Sequence, residues 1–161
     1  GQAVAARARI FGLNIHYHGR RALPETEARG ARFHARLEDL LAVSDILSLH
    51  CPLTPETRGL IDAERLARLP PQAILINTAR GPIINDEAVI AALRAGRLFA
   101  AGLDVFTEEP AVHPGYLDLP NVVLLPHLGS ATIETRNAMG FKALDNLDAW
   151  FAGRPPPDRI A

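Results

Sequence analysis

Apolar positions in this chain come in short blocks. "DILSLHC" (45–51), "AILINT" (73–78), "FAAGLDV" (99–105) and "NVVLLP" (121–126) are nearly continuous apolar runs. Runs of this kind predict strands buried on both faces. "LNIHYH" (13–18) and "ARFH" (31–34) predict two lesser strands. Between the runs, apolar residues recur at helical spacing. They predict helices over 2–11, 36–44, 62–69 and 85–96, and one long helix over 132–153. Gly12 is the expected stop of the first helix. Asn85 or Asp86 is the expected N-cap of the fourth, with Gly96 as its C-cap. "GRRALPETE" reads as a polar loop, and the tail "RPPPDRIA" as extended.

Strand–helix–strand repetition with apolar strands implies an α/β fold, a Rossmann-like doubly wound parallel sheet. Ligands of such sheets bind at the carboxyl ends of the strands. Chemically able residues collect there. His50 and Cys51 end one run, Thr78, Ala79 and Arg80 the next, Asp104 a third, and Pro126 and His127 a fourth. Arg80 offers a planar fork for a carboxylate. His127 with a carboxylate neighbour such as Glu109 can exchange a proton near neutral pH. Each residue alone has a plainer reading: a surface ion pair for Arg80, a hydrogen-bonded turn for His127, a loop acid for Glu109. Their joint placement at successive strand ends favours a site for a small 2-keto or 2-hydroxy acid.

Composition narrows the classes. The chain has 161 residues, 48% hydrophobic, and a formal net charge of −1. That is enough apolar material for a globular core. The balanced charge argues against a nucleic-acid or membrane-surface partner. No apolar run approaches the roughly 20 residues of a membrane span. Cys51 is the single cysteine, so no intrachain disulfide can form and a cytoplasmic setting is expected. No metal site is expected.

"INTARGPIINDEAVIAALRAGRLFAAGLDVFTEEP", "NVVLLPHLGSAT" and "SLHCPLTPETRGLI" together strongly resemble the NAD(P)-dependent D-isomer-specific 2-hydroxyacid dehydrogenases. The resemblance covers nearly the whole chain. Through "HYHGRR" and "PAVHPGYLDLPNVVLLPHLGSATIETR" it is strongest to the glyoxylate/hydroxypyruvate reductases of that family. It implies catalytic roles for Arg80, Glu109 and His127. Arg80 binds the substrate carboxylate and polarises its carbonyl, His127 gives a proton to the keto oxygen, and Glu109 pairs with His127. The nicotinamide supplies the hydride. Cofactor contacts fall on Gly1, Gly19, Arg20, Arg21, Cys51, Thr78, Ala79, Arg80, Asp104, His127 and Gly129. Cys51 reads equally as a small buried hydrophobe, and Ser130 and Thr132 as caps of the long helix. The resemblance also implies a homodimer for the full-length protein.

Two departures from the family pattern matter. An acidic residue usually meets the ribose hydroxyls at the end of the second strand. Here Gly19, Arg20 and Arg21 stand there, which favours NADP(H) and leaves NAD(H) admissible; the plain alternative is a solvated arginine pair. Of the glycine fingerprint GxGxxG only the last glycine is present, as Gly1. The first strand and most of the substrate domain are absent. The chain is therefore expected to be part of a longer polypeptide. Residues 1–131 would form a nucleotide-binding domain with a gap in its sheet, and residues 132–161 a crossover helix and tail leading to the absent domain. Alone it should be inactive. Two other functions stay open: a non-catalytic NAD(H)-sensing module of corepressor type, and an inert fragment.

Overall fold

The computed structural model describes residues 1–160. Its elements run α1 (Gln2–Ile10), β1 (His16–Tyr17), α2 (Glu25–Ala28), β2 (Arg32–Phe33), α3 (Leu37–Leu41), β3 (Ile46–Leu49), α4 (Ala63–Leu66), β4 (Ala73–Asn77), α5 (Asp86–Arg94), β5 (Leu98–Leu103), β6 (Val122–Leu124) and α6 (Ile133–Phe151). Short 3-10 turns occupy Gly81–Ile83 and Pro114–Tyr116. The chain divides into two compact units, Gly1–Pro126 and a second one beginning at His127.

All strand pairs of the first unit are parallel. They form two sheets, β1-β2 and β3-β4-β5-β6. The expected break in the ladder thus falls between β1 and β3. The fold is a Rossmann-like α/β sheet with this interruption. In the larger sheet Leu49, Asn77, Leu103 and Leu124 stand in register. The carboxyl ends of four strands therefore share one edge.

The core lies along this sheet. β4 alternates buried and half-buried positions, with Ala73, Leu75 and Asn77 buried. α5 presses Val89, Ile90 and Leu93 inward. Each such side chain contributes about 1.5–3 kcal/mol on burial. α5 starts at Asn85, whose Oδ1 accepts the Ala88 amide at 3.0 Å. Asp86 and Glu87 in its first turn and Arg94 in its last oppose the helix dipole.

Some expectations are corrected. "GRRALPETE" is not wholly a loop, because Glu25–Ala28 form α2, and its helix-favouring Glu and Ala residues explain why. The C-cap of α5 is Ala95. Gly96 follows it at φ +67°, where its amide bonds Leu93 and the Arg97 amide bonds Ala92. This closure requires the left-handed residue one position later than expected. Predicted helix 62–69 shortens to α4, followed by a turn that Arg97 holds through the carbonyls of Ala67, Leu69 and Pro70. The tail is not simply extended. Within the second unit Lys142 Nζ meets Asp158 Oδ1 at 2.6 Å, and the Asp158 amide donates to Asn146 Oδ1 at 3.0 Å. Ala161, also placed in the tail, lies outside the described residues.

Candidate active site

Strand β4 ends in Asn77, which is fully buried. An unpartnered amide there would cost about 1–3 kcal/mol. Its Oδ1 accepts the Ala79 amide at 3.1 Å, and its Nδ2 donates to the Arg80 carbonyl at 3.0 Å. The side chain thereby folds Thr78-Ala79-Arg80 into a fixed turn at the sheet edge. The Asp104 amide donates to the Asn77 carbonyl at 3.0 Å, so the ladder continues one residue past β5. Asp104 itself is buried.

Arg80 leaves this turn with extended backbone and an exposed side chain. Its Nη1 donates to the Ala79 carbonyl at 2.6 Å. Gly81 follows, and here the backbone comes very close to the loop after β5. A Cβ on Gly81 would stand 2.0 Å from the Phe106 carbonyl carbon and 2.4 Å from the Thr107 nitrogen. Only glycine permits that approach.

A crevice of about 560 Å³ opens at this edge, lined by Gly1, His50, Cys51, Pro52, Leu53, Thr78, Ala79 and Arg80. It unites six of the residues singled out from sequence: Gly1, His50, Cys51, Thr78, Ala79 and Arg80. Burial pushes the Cys51 thiol above its ordinary pKa. Partial desolvation lowers that of His50. His50 Nε2 also lies 2.9 Å from Ser48 Oγ.

A second crevice, of about 640 Å³, is lined by Tyr17, His18, Gly19, Arg20, Arg21 and Leu23. Tyr17 Oη accepts the Leu23 amide at 2.8 Å and closes the loop that carries the arginines. His18 Nδ1 donates to the His34 carbonyl at 2.9 Å. The lining holds two guanidinium groups and no carboxylate.

Glu109 lies in the loop after β5, where its Oε1 accepts the Phe106 amide at 3.0 Å. His127 and Gly129 belong to the second unit. His127 has φ +54°, a left-handed conformation uncommon for non-glycine residues, though histidine adopts it more readily than most. Asn77 and Gly81 escaped the sequence reading. The signals for them were one amide at the end of an apolar run and one glycine directly after the arginine.

Known proteins bear on what these crevices hold. The family model "D-isomer specific 2-hydroxyacid dehydrogenase, NAD binding domain" matches residues 1–129. A glycerate dehydrogenase from Hyphomicrobium methylovorum is 48% identical over 155 residues, covering 95% of this chain and 48% of that protein. A glyoxylate/hydroxypyruvate reductase B from Pectobacterium atrosepticum is 49% identical over 156 residues, 96% of this chain and 49% of that protein. The NADPH-dependent glyoxylate/hydroxypyruvate reductase of Sinorhizobium meliloti, solved with NADP and malonate, matches with a TM-score of 0.88 at 41% identity. That match covers 94% of this chain and 46% of the other. The chain thus spans about half the length of these relatives.

Proposed function

The chain belongs to the D-isomer-specific 2-hydroxyacid dehydrogenase family, and from that premise we propose that it serves the NAD(P)H-dependent reduction of a small 2-keto acid, glyoxylate or hydroxypyruvate, to the D-2-hydroxy acid. The observation that carries this reading is the crevice at the carboxyl ends of β3 and β4, with Cys51, Thr78 and Ala79 in its wall and the Arg80 guanidinium at its side. Such a sheet edge suits a dinucleotide. When bound, the reduced nicotinamide supplies the hydride.

The chain's own residues bind, orient and protonate. Arg80 pairs its guanidinium fork with the substrate carboxylate and withdraws charge from the adjoining carbonyl. His127 delivers a proton to the keto oxygen as negative charge develops there. Glu109 orients the imidazole and stabilises its cation. Thr78 and Ala79 present backbone to the coenzyme, Gly1 and Cys51 offer small surfaces to it, and Asp104 and Gly129 complete its contacts. The donor set of the second crevice fits a phosphate on the ribose. Arg20 and Arg21 supply positive charge, and Gly19 leaves the space in which a family acid would repel it. NADP(H) is therefore the preferred coenzyme. The Sinorhizobium relative is NADPH-dependent and was solved in complex with NADP, which supports this choice.

The similar proteins bear the names of dehydrogenases and reductases, which supports an enzyme over a sensing module. A homodimer forms part of the proposal. Met139, Phe141, Leu144 and Leu147 of α6, each more than half exposed, support it. Among the described residues no helix is long and apolar enough to cross a membrane.

The test is NADPH oxidation by the full-length protein with glyoxylate and with hydroxypyruvate. Turnover with either acid, and much less with NADH, is expected. Tight NADPH binding without turnover of any 2-keto acid would favour the sensing module instead.

A further inference from the structure

One polar cluster stands apart from both crevices, and none of its members lines either of them. At its centre is Asp86, the first residue of α5. Asp86 Oδ2 accepts from Thr107 Oγ1 at 2.7 Å, and Oδ1 accepts from Tyr116 Oη at 2.8 Å. Thr107 and Tyr116 stand at opposite ends of the segment that carries Glu109. Glu87, next in the helix, accepts from His113 Nε2 at 3.0 Å, while His113 Nδ1 accepts the Gly115 amide at 3.1 Å. Within the segment the Phe106 amide donates to Glu109 Oε1 at 3.0 Å, and Glu108 bridges to Ala111.

The cluster has the features of a clamp. Tyr116 is 1% exposed. Burial first, and Asp86 beside it second, push its phenol pKa far above the ordinary value. Its O–H is therefore a permanent donor in any working pH range. A carboxylate has lone pairs enough for two donors at once, and charge-assisted bonds of this kind are about twice as strong as neutral ones. Asp86 also sits in the first turn of α5, where negative charge is favoured. A loop of this length between β5 and β6 would otherwise be free to shift, and a carboxylate displaced by 1 Å loses much of its effect on a reaction.

We propose that Asp86 is a positioning residue: by holding both ends of the 107–116 segment against the head of α5, it sets the Glu109 carboxylate in place for proton transfer. The inference rests on the reading that Glu109 acts in the reaction.

A double-mutant cycle on the full-length enzyme tests it. Asp86→Ala should lower kcat for glyoxylate reduction by about tenfold or more, with KM for NADPH changed less than about twofold. In a Glu109→Gln background the same substitution should lower kcat by less than about twofold, because the group it positions is already disabled. Equal losses in both backgrounds would overturn the positioning role and leave that of Glu109 intact. A Glu109→Gln enzyme as fast as the parent would overturn the role of Glu109, and the inference with it. Should Asp86→Ala not fold, Thr107→Val with Tyr116→Phe removes the same two hydrogen bonds from the other side. The same cycle then reads the result.

Discussion

Gly81 and Phe106 touch through their backbones. A Cβ on Gly81 would come within 2.0 Å of the Phe106 carbonyl carbon and 2.3 Å of its oxygen. The contact joins the turn that presents Arg80 to the loop that carries Glu109.

Gly81→Ala is therefore expected to be severe. A methyl group against backbone cannot be relieved by a rotamer change, so the turn and the loop must separate. The loss of stability should reach or exceed the upper end of ordinary overpacking, about 3 kcal/mol. Chemical denaturation of parent and variant reads it directly. A loss below about 1 kcal/mol would mean that the loop yields at little cost.

Arg80→Lys separates structure from chemistry. The guanidinium is exposed and bonds the carbonyl of the preceding residue, so the melting temperature of the full-length enzyme should stay close to that of the parent. A point ammonium cannot reproduce a bidentate carboxylate pair. Loss of about 2 kcal/mol of transition-state binding corresponds to roughly a thirty-fold fall in kcat/KM. Near-native kinetics would reduce Arg80 to a surface residue.

The second crevice predicts coenzyme choice. Replacing Arg20 and Arg21 by alanine should weaken NADPH by on the order of a hundred-fold, about 3 kcal/mol for two charge-assisted contacts, and NADH by much less. Gly19→Asp should act in the same direction by repelling the phosphate. Binding titrations with both coenzymes decide the matter, and equal losses for the two would refute the phosphate pocket.

Cys51 should react slowly with alkylating agents at neutral pH. Its thiol is held above the ordinary pKa, chiefly by burial. Less thiolate is therefore present at pH 7 than for a free cysteine, and the labelling rate should climb only at more alkaline pH. NADPH should protect it, because Cys51 lines the strand-end crevice. Peptide mapping after N-ethylmaleimide treatment, with and without NADPH, measures both effects. Rapid labelling at pH 7 that ignores NADPH would place the coenzyme elsewhere.

The sequence by itself determined the type of fold and most of its elements. Runs such as 73–78 and 99–105 are apolar at consecutive positions, a pattern that marks strands of a covered sheet; the structure corrects the expected burial on both faces, because Phe99 of β5 and Val123 of β6 stand 58% and 63% exposed. Caps were legible for the same local reason: Asn85 and Thr132 each accept an amide three residues ahead, within reach of sequence spacing. The candidate residues were legible as chemistry out of place, an arginine and a histidine at the ends of apolar runs. Tertiary structure alone decided what holds them. Asn77 sits among apolar residues and shows its role only once its amide is seen to bond Ala79 and Arg80. Asp86 reads from sequence as the alternative N-cap of α5, but Asn85 takes that position, and the partners of Asp86, Thr107 and Tyr116, lie 21 and 30 residues away. The contact of Gly81 with Phe106 is likewise set by the register of β4 on β5, in which Asn77 faces Leu103. Local propensity acts over a few residues, whereas these contacts arise only after non-local strands have paired, so no stretch of sequence carries them.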